Sequence, residues 1–189
     1  MSKEISWKLL TRDIDKWNQL RKFDPQKNEQ IDLSGINLSN INLEKANLSN
    51  CNLTNANLIG SNLRFADLRG ANLSQCNLIG VNLRLANLRE SYIIQAKLNR
   101  ANLSEANMIC CTLNESDLSH ANLYETELIG AYLYKTNLSH AQLVNTHLSK
   151  AYLVCANLDY ATLHQTDLRW ANLSHVNLSK TINPESLQP

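Results

Sequence analysis

Ile31-Asp32-Leu33-Ser34-Gly35, Ile36-Asn37-Leu38-Ser39-Asn40 and Ala46-Asn47-Leu48-Ser49-Asn50 are copies of one five-residue phrase, which runs without interruption to Lys180. Leu recurs at every fifth residue from Leu33 to Leu178, making 30 consecutive units, and only Ile93 and Met108 replace it. Two residues before this central Leu stand 15 Ala, 3 Cys, 3 Ser, 4 Thr, 2 Val and 3 Ile; one residue before it stand 17 Asn and 4 Asp. The two residues after it are mostly polar or charged. A period of five fits neither a 3.6-residue helix nor a two-residue strand alone. It fits a short extended step followed by a turn. Residues two apart in an extended step share a side, so the Leu and the small residue point inward together. The Asn or Asp between them bonds the local backbone and steadies the turn.

Units such as Ala46-Asn47-Leu48-Ser49-Asn50 and Ala66-Asp67-Leu68-Arg69-Gly70 match the pattern A(D/N)LXX. The chain therefore resembles the pentapeptide repeat proteins, over 150 of its 189 residues. Trp17-Asn18-Gln19-Leu20-Arg21, followed by Pro25, also resembles a leader that precedes such arrays. The resemblance implies an all-β solenoid: a right-handed quadrilateral parallel β-helix with four units per coil. Thirty units in fours make about 7.5 coils, a rod roughly 36 Å long at ~4.8 Å per coil. A coil of 20 residues stacks residues 20 apart. Tyr92, Tyr132 and Tyr152 differ by multiples of 20, as do Arg64 and Arg84, Arg69 and Arg89, His120 and His140, Gly60 and Gly80, and Thr126, Thr146 and Thr166.

Three segments follow: 1–30, an N-terminal amphipathic helix or cap with its linker; 31–180, the β-helix; and 181–189, a tail. In the first, Trp7, Leu10, Ile14, Trp17 and Leu20 recur at three- and four-residue steps, with Phe23 just beyond. That spacing predicts one amphipathic helix of about 18–20 residues, started by Ser2 and stopped by Pro25. Its apolar stripe needs a receiving surface. The open end of the first coil, where Ile31, Ile36 and Ile41 replace Ala, supplies one, so the helix is read as an α-helical cap. Dimerisation through the same stripe is the competing use. At the other end Asn183-Pro184 breaks the repeat, and either the tail covers the last coil or two chains meet there.

The bulk properties exclude more than they assign. A formal net charge of +1 gives no reason to expect nucleic acid or a membrane as partner. The sequence has no 18-residue apolar run and no signal-type N-terminus, and its five cysteines are odd in number; a cytoplasmic protein with reduced thiols is expected. Cys51, Cys76 and Cys111 occupy the small inward position. No nucleotide, nucleophile-elbow or zinc motif occurs, all five His fall at outward positions, and the filled interior leaves no concave pocket for an acid–base pair. Neither catalytic residues nor a cofactor nor a metal is expected.

Two outward patches break the polar rule. One comprises Ile59, Arg64, Phe65, Arg69, Ile79, Arg84, Leu85 and Arg89. It mixes arginine with an aromatic, as binding hot spots do, and its stacked arginines repel. The other lies on the opposite side: Tyr92, Ile94, Tyr132, Tyr134, Tyr152 and Val154. It reads as an apolar strip suited to an interface or as a self-stacking aromatic ladder. The expectation is a rigid, non-enzymatic scaffold for an unidentified protein partner, with homodimers through the helix, the C-terminal end or the Tyr strip as further options. The alternative is a DNA-mimic modulator of a type II topoisomerase, an activity of some relatives. It is disfavoured by 11 Lys+Arg against 11 Asp+Glu over residues 31–180 and by the lack of inserted loops.

Overall fold

The structure, a computed structural model, describes residues 3–22 and 30–182. Throughout the repeat, the residue before each central Leu forms a parallel bridge to the residue 20 further on, from Asp32–Asn52 to Thr162–Ile182. The pair Asn157 and Asn177, in the last coil, is missing from this ladder. The register is the one the stacked tyrosines and arginines predict. Each unit ties to its neighbours by short bonds: Leu33 N–H to the Asn52 carbonyl at 2.7 Å, Gly35 N–H to Thr54 at 2.8 Å, and Asn52 N–H back to Ile31 at 2.9 Å. A coil thus has four sides, centred in the first coil on Leu33, Leu38, Leu43 and Leu48.

The turns explain the rest of the pattern. From Ala46 onward the N–H of the small residue closes a turn onto the preceding central carbonyl, as from Ala46 to Leu43 at 3.0 Å, except at Ala96, whose N–H donates to Ser116 Oγ at 2.9 Å. The residue two after the Leu has a left-handed φ at every turn, from Gly35 (φ 63) to His175 (φ 62). Gly and Asn accept this cheaply, whereas bulky side chains carry a Cβ penalty. The Asn before the Leu does two jobs. Asn37 Oδ1 accepts the Ser39 N–H at 3.1 Å and also the Asn57 Nδ2 of the next coil at 3.1 Å. Every central residue from Leu33 to Leu163 is buried, each worth roughly 1.5–3 kcal/mol of transfer free energy. Inward threonines are satisfied too: Thr126, Thr146 and Thr166 donate to the carbonyls of Leu103, Leu123 and Leu143 at 2.8, 2.7 and 2.7 Å.

The N-terminal segment is not one helix but two, α1 (Lys3–Arg12) and α2 (Ile14–Lys22). The break falls at Asp13, whose Oδ1 accepts the Lys16 N–H at 2.9 Å and so caps α2. Leu10 and Trp17 are fully buried, and Leu9, Ile14, Ile31, Ile36 and Ile41 pack half-buried against the core. Trp17 Nε1 donates to the Asn47 carbonyl at 2.8 Å, Asn18 Oδ1 accepts the Asn47 N–H at 2.8 Å, and Arg21 donates to the Ser49 carbonyl. One coil later the equivalent groups of Asp67 bond the previous coil, to Ala46 at 3.0 Å and from Leu48 at 2.7 Å. Side chains of α2 therefore stand in for a strand that the first coil lacks.

Trp7 and Leu20, expected in this packing, are exposed instead. The contact face of α2 runs through Trp17, Arg21 and Asn18. On a helix, Arg21 and Asn18 lie about 40° and 100° round from Trp17, while Leu20 lies about 300° round and so outside the face. Ser2, Phe23, Pro25 and the tail from Asn183 lie outside the described residues, whereas the β-helical register reaches Ile182.

Candidate interaction surface

The arginine patch occupies the second, third and fourth sides of the early coils. Its charges are not left to repel. Arg69 grips Asp67 with two parallel bonds of 2.8 and 2.7 Å, Arg84 holds Glu105 at 2.6 Å, and Arg89 pairs with Glu90 at 3.0 Å. The mutual repulsion expected of the stacked pairs is offset by these carboxylates, of which Glu105 comes from the next coil. Arg64 differs: its guanidinium lies 5.2 Å from the centre of the Phe65 ring. Phe65 is exposed, Leu85, Ile59 and Ile79 are half-buried, and both Phe65 (φ 57) and Leu85 (φ 60) sit at the left-handed turn position.

The tyrosine patch lies on the first side. Tyr92, Tyr132, Tyr134 and Tyr152 are exposed, Ile94 and Val154 half-buried. Tyr132 and Tyr152 stack at 5.5 Å and 17°. The strip is not continuous, because Thr112 occupies the rung between Tyr92 and Tyr132. A Tyr at the Asn position forfeits the local turn bond. At Tyr132 the preceding coil supplies it, with Asn114 Oδ1 accepting the Tyr134 N–H at 3.0 Å.

Two exposed aromatics near the C-terminal end complete the surface and are not part of either predicted patch. Trp170 is 76% exposed, with Lys150 and Arg169 each 5.8 Å from its ring centre. Tyr160 continues the His120–His140 stack at 5.0 Å and receives Lys180 at 5.9 Å. The signal was available in the sequence: Lys150–Trp170 and His140–Tyr160–Lys180 are 20 apart.

A family model described as pentapeptide repeats matches eight copies, which together cover residues 31–149 and 151–182. The chain belongs to the pentapeptide repeat family. Members of this family form right-handed quadrilateral β-helices and are generally structural or interaction modules. Among solved structures, the chain is similar to the pentapeptide repeat protein Rfr23 from the cyanobacterium Cyanothece 51142, with 29% identity over 59% of this chain and 90% of that one, at a TM-score of 0.57. It also resembles QnrB1, a plasmid-mediated fluoroquinolone resistance protein, in two trypsin-treated variants. One has 18% identity over 83% of this chain and 92% of that one, at a TM-score of 0.51. The other has 18% identity over 84% of each chain, at a TM-score of 0.55. At that identity the QnrB1 likeness concerns the fold alone. No curated protein matches the chain significantly in sequence.

Within the repeat, one feature departs from the expectation of a surface without concavities. A groove of about 400 Å³ is lined by Glu125, Glu127, Asn145, His147 and Gln165. It arises because long side chains stack on both sides of the Thr126, Thr146 and Thr166 turns. His147 Nδ1 meets Glu127 Oε1 at 3.0 Å there. The threonines beneath cannot serve as nucleophiles, since their hydroxyls are committed inward. Among the described residues no group of three or more His, Cys, Asp or Glu is placed to hold a metal ion, and no helix is long and apolar enough to cross a membrane. Cys51, Cys76 and Cys111 are buried as read from the repeat, while Cys110 and Cys155 are exposed. Burial pushes the Cys51 thiol up to about 11 and the Cys76 thiol up to about 12, so both stay protonated and unreactive at neutral pH.

Proposed function

We propose that this protein is a rigid, non-enzymatic interaction module that acts in the cytoplasm. Its functional parts are the segments 1–30, 31–180 and 181–189, with α2 as the cap of a β-helix of about 7.5 coils. The observation that carries the reading is the tyrosine side. Three units give up the turn-stabilising Asn for Tyr92, Tyr132 and Tyr152, and the rings stay about half exposed rather than joining the core. A substitution that weakens the local turn and leaves apolar surface in water is accounted for by a partner that covers it. The arginine corner is the second contact area. Homodimers through the helix, the C-terminal end or the Tyr strip fit the same reading.

Pull-down from the native host with wild type, Arg64→Glu/Arg84→Glu and Tyr132→Ser/Tyr152→Ser tests it. Each double substitution is expected to remove partners that wild type retains; identical partner sets for all three defeat both patches. Topoisomerase modulation as a DNA mimic, an activity of some members of the family, is the second reading. The equal numbers of acidic and basic residues in the repeat count against a DNA mimic, and inhibition of supercoiling by the purified protein would reverse that judgement.

A further inference from the structure

Of the four arginines at the early corner, Arg64 alone has no carboxylate. The acids around it are engaged elsewhere: Glu105 holds Arg84, Asp67 holds Arg69, and Glu44 accepts the Asn62 Nδ2 at 3.3 Å. Arg64 Nε is also one of the few buried side-chain polar atoms, among the described residues, without a hydrogen-bond partner. A buried polar atom without a partner is uncommon and calls for a reason. Beside it, Phe65 and Leu85 occupy two successive left-handed turn positions, at φ 57 and φ 60, where Gly or Asn fits at less cost. Every turn of the repeat shares that conformation; this corner stands apart because two stacked turn positions carry apolar side chains beside a guanidinium that has no carboxylate. The adjoining corner is open at Gly80, where an added Cβ would meet nothing within 4 Å, but covered at Gly60, where it would meet Asn40 Oδ1 at 2.6 Å.

We propose that Arg64, Phe65 and Leu85 form a docking site for a partner segment that carries one carboxylate next to an apolar side chain. The carboxylate engages the Arg64 guanidinium through two N–H donors, and the apolar side chain lies on Phe65 and Leu85. This rests on the interaction-module reading and assigns its arginine corner a partner chemistry. A polyanion fits less well. The corner holds Lys45, Arg64, Arg69, Arg84 and Arg89 against Glu44, Asp67, Glu90 and Glu105, five charges against four, so one anionic group is matched and a phosphate chain finds no excess of positive charge to hold it.

The test is an NMR titration of the full chain with N-acetyl-Leu-Asp-Leu-amide, its Asn analogue, and a 12-base-pair DNA duplex at about 150 mM salt. Saturable shifts confined to amides near Arg64, Phe65 and Leu85 are expected with the Asp peptide. Binding should be at least about tenfold weaker for the Asn analogue and for Arg64→Gln, intermediate for Arg64→Lys, which keeps the charge but loses the fork, and unchanged for Lys97→Gln, an exposed cation outside both patches. Thermal melts establish that each variant is folded. No shift with the Asp peptide, equal binding of the Asn analogue, undiminished binding by Arg64→Gln, or preferential binding of the duplex overturns the proposal. Any of these leaves the tyrosine side standing, because its own pair of substitutions tests it separately.

Discussion

The two ends of the β-helix solve the same problem unequally. At the first coil Leu33, Leu38, Leu43 and Leu48 are completely buried, and α2 supplies side-chain bonds to an edge that has no preceding strand. At the last coil Leu168, Leu173, Val176 and Leu178 are only half-buried, and the Asn157–Asn177 bridge is missing. In a solenoid each coil touches only its neighbours, so an end is stabilised from one side unless something else covers it. At the first coil α1 and α2 supply that cover, with Leu10 and Trp17 fully buried and Trp17 adding a bond to the Asn47 carbonyl.

The harshest way to break this contrast is to remove that residue. Trp17→Ala deletes a fully buried indole, expected to cost about 3–5 kcal/mol, and leaves the Asn47 carbonyl without its donor. Denaturant unfolding measures the cost. Hydrogen exchange should show the amides of residues 33–50 losing protection while those beyond the third coil keep theirs. Protection of the first coil equal to wild type would mean that the helix is decoration and that the ends do not differ for the reason given.

A milder pair of substitutions sharpens the comparison along the rod. Leu88→Ala, in the middle, is expected to cost about 2–5 kcal/mol, because coils on both sides hold the cavity open. Leu173→Ala should cost less than half as much, since that side chain already meets water and its coil can fray without the rest. Equal losses in chemical denaturation would show that the last coil is covered as tightly as the first.

The contrast between the ends was only partly legible in the sequence. The core, the 20-residue register and the turn-stabilising Asn follow from a five-residue period, because in a solenoid sequence distance converts directly into spatial distance. Ile31, Ile36 and Ile41, which stand in place of Ala, pack half-buried against the core cluster that also holds Leu10 and Trp17. The break at Asp13 was missed because the apolar spacing runs smoothly through it, and only the side chain's bond to Lys16 reveals it. The Arg84–Glu105 pair, 21 residues apart, depends on rotamers that periodicity does not fix. The interruption of the Tyr strip by Thr112 needed no structure, since 112 is 92 plus 20. Trp170 and Tyr160 went unremarked because each is a single aromatic at a turn position, conspicuous only once the lysine one coil away is placed beside it.

The finest difference between early and late coils lies in two copies of one motif. Asp67-Leu68-Arg69 and Asp167-Leu168-Arg169 occupy the same side of the solenoid, five coils apart. Their ion pairs are alike: two bonds of 2.8 and 2.7 Å in the first, 2.8 and 2.9 Å in the second. The carboxyl side chains are also similarly accessible, at 26% and 22%. Their surroundings at longer range differ, because Asp67 has coils stacked on both sides and Asp167 stands beside the end. Burial pushes Asp67 up, but its bonds to Arg69 and the nearby guanidinium charges together outweigh it, so the carboxyl ends below the usual carboxylate range by a lesser amount. The bonds from Arg169 meet less opposition and bring Asp167 down to about 2. A lowered carboxyl contributes stability that is fully present above its unfolded value near pH 4 and is lost as pH falls through the folded value. The late pair should thus hold until about pH 2, while the early pair is released at a higher pH. Carboxyl-carbon NMR titration measures both, and Arg169→Gln should return Asp167 alone towards the ordinary range. An Asp167 that titrates above Asp67 would show that the last coil is as enclosed as the second, and that the two ends of this rod are not different after all.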